Sequence, residues 1–112
     1  MAVINQYKFY GKYIEAAESG TLLAPLISET VIIKSFRVTN KSASNAPTLT
    51  VKNNGVSILW ATALSTGTSV ELLSLPLVVE GNTTLTYTTV GDCTDGVVIG
   101  ISYLNIKKEV TV

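Results

Sequence analysis

The residue types that carry out most enzyme chemistry are scarce in this sequence. It has no histidine, the commonest general base and a frequent zinc ligand. Its one cysteine, Cys93, therefore has no histidine to activate it as a nucleophile. The glutamates are scattered singly, and no glycine-rich phosphate-binding motif is present. We predict a non-enzymatic protein without a cofactor.

Asp92 and Asp95 are the best candidates for metal ligands. Both lie in a short loop between Gly91 and Gly96. Carboxylate and backbone carbonyl oxygens are the ligands that calcium prefers, so this loop could hold a calcium ion. Aspartates beside glycines are also typical of plain turns, and this second interpretation is the one we favour.

The charge and the cysteine count limit the partners and the compartment. The net charge is zero and only 14% of the residues are charged, whereas proteins that bind phosphate backbones need a basic surplus. No apolar run approaches the ~20 residues of a membrane span. A single cysteine excludes an intramolecular disulfide, and the first residues lack a signal-peptide pattern. We expect no nucleic-acid or membrane partner, and folding in a reducing cytoplasm.

The elements that must position any site are predicted to be strands. Valine, isoleucine and threonine make up about a third of the chain, and β-branched residues favour strands. Short apolar runs are separated by breaks rich in glycine, proline, asparagine and serine, at intervals of roughly 8 to 12 residues. The pattern predicts eight or nine strands in one all-β domain, an antiparallel β-sandwich of jelly-roll type.

Two long runs are predicted to form the centre of this sandwich. Residues 30–40 are rich in β-branched and aromatic types, and their apolar phase changes at Lys34–Ser35, which predicts a β-bulge there. Residues 96–105 carry apolar side chains at both odd and even positions. We expect this last strand to be buried on both faces.

The clearest local signal is a hairpin over residues 47–62. Asn54–Gly55 is the favoured pair for a two-residue type I′ turn. With that turn and a regular ladder, Val51 faces Ile58 and Leu49 faces Trp60. This register predicts that Trp60 anchors the core, with a ligand platform as the alternative.

The first 13 residues are set apart by their aromatic content. They hold Tyr7, Phe9, Tyr10 and Tyr13, half of the aromatic residues in the chain. The segment is either an ordinary edge strand or an arm that contacts a neighbouring subunit, since aromatic side chains supply contact area at low entropic cost. We divide the chain into an arm or edge strand (1–13) and a sandwich domain (14–112), and predict that the four aromatics bind a partner.

One series of motifs resembles the small virion proteins of tailed bacteriophages. In that group a strand of the type T-h-h-h-K-S-h-x-V-x-N-x-S precedes a hairpin and a P-h-h-h-E-x-G-(D/N)-T-L corner. The matching segments cover about residues 19–104, and the usual aspartate of the corner is replaced by asparagine at position 82. They are residues 19–21 and 29–42, the hairpin residues 49–51 and 54–56, the run 70–72 and the corner 76–87.

The resemblance implies a non-enzymatic structural protein of the virion. The favoured function is a capsid decoration, or cement, protein that binds across capsomer junctions, is assembled in the host cytoplasm and forms a homo-oligomer, with a trimer favoured. Its partner would be the major capsid protein or another virion subunit. A tail, neck or fibre component is the first alternative. A glycan-binding β-sandwich for host recognition, which would need exposed aromatics, is the second.

Overall fold

The chain folds into two antiparallel β-sheets. The computed structural model describes residues 3–108, which form nine strands and no helix. The all-β prediction is therefore confirmed. The strands are β1 (Val3–Ile14), β2 (Ser19–Leu23), β3 (Glu29–Asn40), β4 (Thr48–Asn53), β5 (Val56–Ala63), β6 (Ser69–Glu71), β7 (Leu77–Val79), β8 (Leu85–Val90) and β9 (Val97–Lys108).

The order of the strands is that of a jelly roll. Sheet 1 has the order β1-β9-β3, with β6 and β7 both pairing with the far side of β3. Sheet 2 has the order β2-β8-β4-β5. Because β6 and β7 share one position, the nine strands occupy the eight positions of a double Greek key. The predicted sandwich class and its jelly-roll character are both observed.

Strand β3 has a central position in sheet 1. Its bulge keeps the apolar residues on either side of it on the same face. The register with β9 shifts between Ile33 and Ser35, as the sequence predicted. One extra residue is accommodated there, so that Ile33 before the bulge and Phe36 after it both point into the core, where each is fully buried.

The core is an apolar layer between the two sheets. Its members alternate along each strand with exposed or half-buried residues, which is the pattern of a strand with one buried face. No buried side-chain nitrogen or oxygen among the described residues lacks a hydrogen-bond partner. The largest fully buried side chains are Phe36, Ile14, Ile33, Leu49, Leu85, Ile99 and Ile101.

The prediction for the hairpin was right at the turn and wrong beyond it. Asn54 and Gly55 both have positive φ angles, 51° and 79°, as a type I′ turn requires. The register then shifts twice, so that Val51 pairs with Leu59 and Leu49 pairs with Thr62. Each shift inserts one extra residue into β5. The predicted pairing of Leu49 with Trp60 is therefore absent, and Trp60 is not a core residue.

The prediction for β9 was also partly wrong. Val97, Ile99 and Ile101 are fully buried in the core, whereas the alternate residues Val98 and Gly100 are half-buried and Ser102 is exposed. No other layer covers that side of sheet 1 in the described chain. The second apolar face of β9 lies on the surface of the molecule.

The N-terminal segment forms an edge strand. Strand β1 pairs with β9 from Val3 to Ile14 and lies at the end of sheet 1. The predicted boundary after residue 13 falls one residue before the end of β1, and Ile14 is fully buried in the sandwich core. Residues 1 and 2 of the predicted arm and residues 109–112 of the predicted sandwich domain lie outside the described residues.

Candidate interaction surfaces

Three of the four predicted partner-binding aromatics lie together on the outer face of sheet 1. Tyr7, Phe9 and Tyr13 occupy alternate positions of β1 and are 81%, 69% and 48% exposed. Tyr10 points to the opposite face and packs against the core. The structure thus brings Tyr7, Phe9 and Tyr13 onto one surface and separates Tyr10 from it. Their binding role remains a prediction.

The outer face of sheet 1 carries an apolar row that crosses four strands. Tyr7 pairs with Leu104, Leu104 pairs with Ile32, and Ile32 pairs with Val78. Paired side chains of neighbouring strands lie on the same face and touch each other. Leu104 and Ile32 are half-buried by these neighbours, and Val78 is exposed. We call these four residues the apolar row.

Phe9 extends this surface by lying flat against the sheet. Its neighbours are two glycines, and a Cβ atom added at Gly11 would lie 3.2 Å from Phe9 Cε2, while one at Gly100 would lie 3.3 Å from Phe9 Cε1. The missing side chains leave a depression of about 370 Å³ next to Phe9, lined also by Arg37 and Val98. The glycines therefore shape a shallow, largely apolar surface beside the apolar row.

Tyr13 lies on the same face, near the C-terminal end of β1. Its ring lies above Gly96, and the Lys41 Nζ atom is 5.5 Å from the ring centroid. That distance is within the range of a cation–π contact. The contact holds the Tyr13 ring beside the strand instead of leaving it free in solvent.

Glu71 fixes the bulge on which this face depends. Its carboxylate accepts hydrogen bonds from Ser35 Oγ and, at 2.6 Å, from the backbone N of Phe36. Partial burial raises the pKa of Glu71, but the hydrogen bonds from Ser35, Phe36 and Leu73 and the charge of Arg37 outweigh it and lower the pKa below the ordinary 4.5. The ionised form of Glu71 therefore stabilises the bulged part of β3.

The free edge of β1 carries features that oppose strand addition. Lys8 and Lys12 lie on the inner face of β1, on the side of Tyr10 and Ile14. Charged side chains that point inward on an edge strand discourage a further strand from pairing. The addition of a further strand at the β1 edge is therefore disfavoured.

A different surface lies on the outer face of sheet 2. Trp60 of β5 is 73% exposed and stands beside hydroxyl-bearing side chains from β4 and β8. The depression next to the indole has a volume of about 410 Å³. We call this surface the tryptophan face; it is lined by Thr48, Thr50, Lys52, Trp60, Ala61, Thr88 and Val90.

Two bulges in β5 flank the position of Trp60. The first inserts Ile58 as an extra residue before Leu59, so that Leu59 faces the core and Trp60 faces outward. The second lies directly after Trp60. Trp60 and Ala61 together face the single residue Thr50, and the backbone N of Ala61 donates a 3.0 Å hydrogen bond to Thr50 Oγ1. Ala61 has a φ of 45°, which is uncommon for a residue with a side chain. No local sign of the second bulge is visible in the sequence, because alanine is not a typical residue at positive φ.

The two calcium candidates serve as turn residues. Asp92 Oδ1 accepts hydrogen bonds from the backbone N and the Oγ1 of Thr94, which lower the pKa of Asp92 despite a small opposing effect of burial. Asp95 Oδ2 accepts one from Ser42 Oγ at 2.9 Å. Across residues 3–108, no three His, Cys, Asp or Glu side chains are grouped so that they could hold a metal ion.

Two further findings concern single features of the chain. Cys93 is a buried free cysteine with its thiol 3.9 Å from the carbonyl oxygen of Gly91. The described part of the chain contains no helix long and apolar enough to cross a membrane.

Sequence reasoning missed three members of the apolar row, namely Ile32, Leu104 and Val78. The signal was present, since residues 30–33 and 97–106 carry apolar side chains at both odd and even positions. For residues 30–40 we predict only a bulge, whereas for residues 96–105 we interpret that pattern as burial on both faces. It equally describes a strand with one face in the core and the other on an apolar surface.

Comparison with solved structures finds a chain of similar fold. The chain is similar to the nucleoplasmin-like N-terminal domain of Drosophila FKBP39, with a TM-score of 0.47 and 16% sequence identity over 95% of this chain and 93% of that chain. No family model matches the sequence, and no curated protein matches it. At this level of similarity, the function of the neighbour does not transfer to this chain.

Proposed function

We propose that this protein is a non-enzymatic structural subunit of a tailed-phage virion, acting as a capsid decoration protein that assembles through the outer face of sheet 1. The observation that carries the proposal is the apolar row together with Phe9. These side chains form a continuous apolar surface on a molecule whose sandwich core is already complete. Such exposed patches on a soluble domain mark interaction sites.

The composition of this surface is that of an interface centre. Interface cores are enriched in aromatic residues and depleted of charge, with a polar rim around them. Tyr7 and Phe9 supply the exposed aromatic area, and the apolar row continues it across the sheet. Arg37 and Lys34 lie at its margin. Burial of the two aromatic side chains is the main expected contribution to binding.

The proposed occupant of this face is a second and third copy of the same chain. A domain of this length buries only about two thirds of its unfolded surface, so association that covers the apolar row would add to its stability. Three copies with their sheet 1 faces toward a threefold axis would bury the row from each copy. The inward-pointing Lys8 and Lys12 disfavour the alternative of pairing at the β1 edge.

The assignment to a virion is supported by the family resemblance of residues 19–104 and by the jelly-roll fold. In the proposed mechanism the trimer binds the major capsid protein across capsomer junctions. Multivalent attachment strengthens each weak contact, and the added buried area holds neighbouring capsomers together. A tail, neck or fibre location uses the same trimer and differs in the particle surface that it contacts.

Co-sedimentation with particles tests this function. Heads lacking the protein, from the phage whose genome encodes it, are mixed with the wild-type chain, with Tyr7→Ser/Phe9→Ser and with Trp60→Ala. We expect the wild type and Trp60→Ala to sediment with the heads. The double variant should bind at least about tenfold more weakly, because a monomer loses multivalent attachment. Equal binding of all three would contradict the role of sheet 1, and binding to tails alone would move the location to the alternative.

A further inference from the structure

The tryptophan face has an unusual combination of features for a surface without an assigned role. The single tryptophan of the chain is 73% exposed on a flat sheet, although its position in the hairpin pattern would place it in the core. The next residue, Ala61, lies in a bulge beside it and has an unfavourable positive φ of 45°. Backbone strain of this kind is found preferentially at functional sites. The tryptophan face is therefore a candidate binding site.

The side chains around Trp60 are neutral hydrogen-bonding groups. Thr50 Oγ1 accepts the hydrogen bond from Ala61, which leaves its own O–H free to donate. Thr88 Oγ1 shares a 3.1 Å hydrogen bond with Ser19 Oγ and keeps further capacity as an acceptor. Thr48 lines the same depression at its other side. A ligand above Trp60 would thus meet an apolar ring and several hydroxyls.

This arrangement matches the chemistry of a neutral sugar. One face of a pyranose ring is a patch of C–H groups that stacks on an indole, and its edge carries hydroxyls that both donate and accept hydrogen bonds. The depression of about 410 Å³ falls within the ~300–1,000 Å³ of typical small-ligand sites. Lys52 is the one charged side chain in its lining, so an anionic ligand has little else to bind.

We propose that the tryptophan face binds a neutral glycan, with one pyranose ring stacked on Trp60 and its hydroxyls bonded to the threonines of β4 and β8. This activity is separate from the assembly role of sheet 1, because the two faces lie on opposite sides of the sandwich. In a virion subunit it would supply attachment to a cell-surface polysaccharide. The proposal holds whether or not the chain forms a trimer.

The test is binding of the full chain to defined sugars. The probes are neutral glucose- and galactose-containing oligosaccharides on a glycan array, with sialylated and sulfated glycans on the same slide. Hits are titrated in solution and followed by the fluorescence of Trp60, the only tryptophan in the chain. We expect binding to at least one neutral class, with a shift or quenching of the Trp60 emission on saturation.

Four variants make the assignment specific. Trp60→Ala should weaken binding by at least about tenfold, because it removes the central aromatic contact. Trp60→Phe should retain part of the affinity, and the nearly isosteric Thr48→Val should lower it with the ring contact intact. The matched control is Leu75→Ser, which removes an equally exposed apolar side chain that lies in neither outer face and should leave the affinity unchanged.

Three results would overturn the proposal. One is the absence of binding to every neutral glycan on the array. Another is binding only to anionic glycans that survives Trp60→Ala and is lost in Lys52→Gln. A third is a shift of the wild-type Trp60 emission to shorter wavelength as the protein concentration rises in the absence of sugar. Such a shift would mean that the tryptophan face is the contact between copies of the chain. The fluorescence titration uses the wild-type protein, so the outcome does not depend on how a variant folds.

Discussion

The outer faces of the two sheets are both formed by alternating residues of β-strands, but they expose different kinds of side chain. Sheet 1 presents the apolar row across four strands and the ring of Phe9, with polar side chains beside that ring. Sheet 2 presents one indole surrounded by threonine hydroxyls. The first face is suited to a large apolar contact with another protein chain. The second is suited to a small polar ligand with one stacking contact.

The difference between the faces arises from where the bulges lie. In β3 the bulge at Lys34–Ser35 keeps Phe36 in the core and leaves Ile32 on the outer face, in line with its neighbours. In β5 the extra residue at Ile58 does the reverse, because it turns Leu59 inward and Trp60 outward and so removes a large aromatic from the core. One extra residue in a strand therefore decides on which face of the sheet the following side chains lie.

The largest effect is expected from truncation of a core side chain, because both sheets and both outer faces depend on the core. Phe36 is fully buried between the two sheets, and its truncation in Phe36→Ala leaves a cavity that the sheets cannot fill. We expect the free energy of unfolding to fall by about 3–5 kcal/mol. Urea denaturation followed by circular dichroism measures the loss. A decrease below 1 kcal/mol would contradict the packing described for β3.

Changes at Ala61 should act on sheet 2 alone. Ala61→Val puts a β-branched residue at a φ of 45° and should lower the free energy of unfolding by about 1–3 kcal/mol, whereas Ala61→Gly should not lower it. Thermal unfolding of the two variants gives the comparison. At temperatures where Ala61→Val remains folded, its solution mass should equal that of the wild type. Equal stability of the valine and glycine variants would argue against a positive φ at this position.

Acid should weaken sheet 1 through Glu71. The pKa of Glu71 is lowered in the folded protein, so the unfolded chain binds its proton more readily. The stabilisation is present above the ordinary pKa of 4.5 and is lost as the pH falls through the lower folded value. We expect Glu71→Gln to be less stable than the wild type at pH 7 and to show a smaller further loss on acidification. Chemical denaturation between pH 7 and pH 2 tests this, and parallel curves for the two proteins would contradict it.

The smallest expected effect on stability is that of Trp60→Ala. A side chain that is 73% exposed contributes little to the core, so the free energy of unfolding should change by no more than about 0.5 kcal/mol. Urea unfolding, followed by circular dichroism because the only tryptophan is removed, measures it. A loss of 3 kcal/mol or more would restore the original prediction that Trp60 anchors the core.

The sequence predicted the class of fold because β-branched composition and regularly spaced turn residues are local signals. It also predicted the bulge in β3, since Lys34–Ser35 visibly interrupts an apolar alternation. It did not predict the two bulges in β5, at Ile58 and at Ala61, because neither position has a glycine or asparagine to mark it. The apolar row was missed for another reason. Its members lie in four separate strands, and only the pairing register of these strands brings them next to each other.

The most direct test of the assembly claim is the solution mass measured by light scattering on three proteins at equal concentration. The proteins are the wild type, Tyr7→Ser/Phe9→Ser and Trp60→Ala. We predict that the wild type and Trp60→Ala have about three times the chain mass of 11.9 kDa, and that the double variant has the mass of one chain. A wild-type dimer that dissociates in the double variant would support sheet 1 as the assembly face but contradict the trimer. A monomeric wild type, or an oligomer that dissociates only in Trp60→Ala, would contradict the claim that sheet 1 is the assembly face.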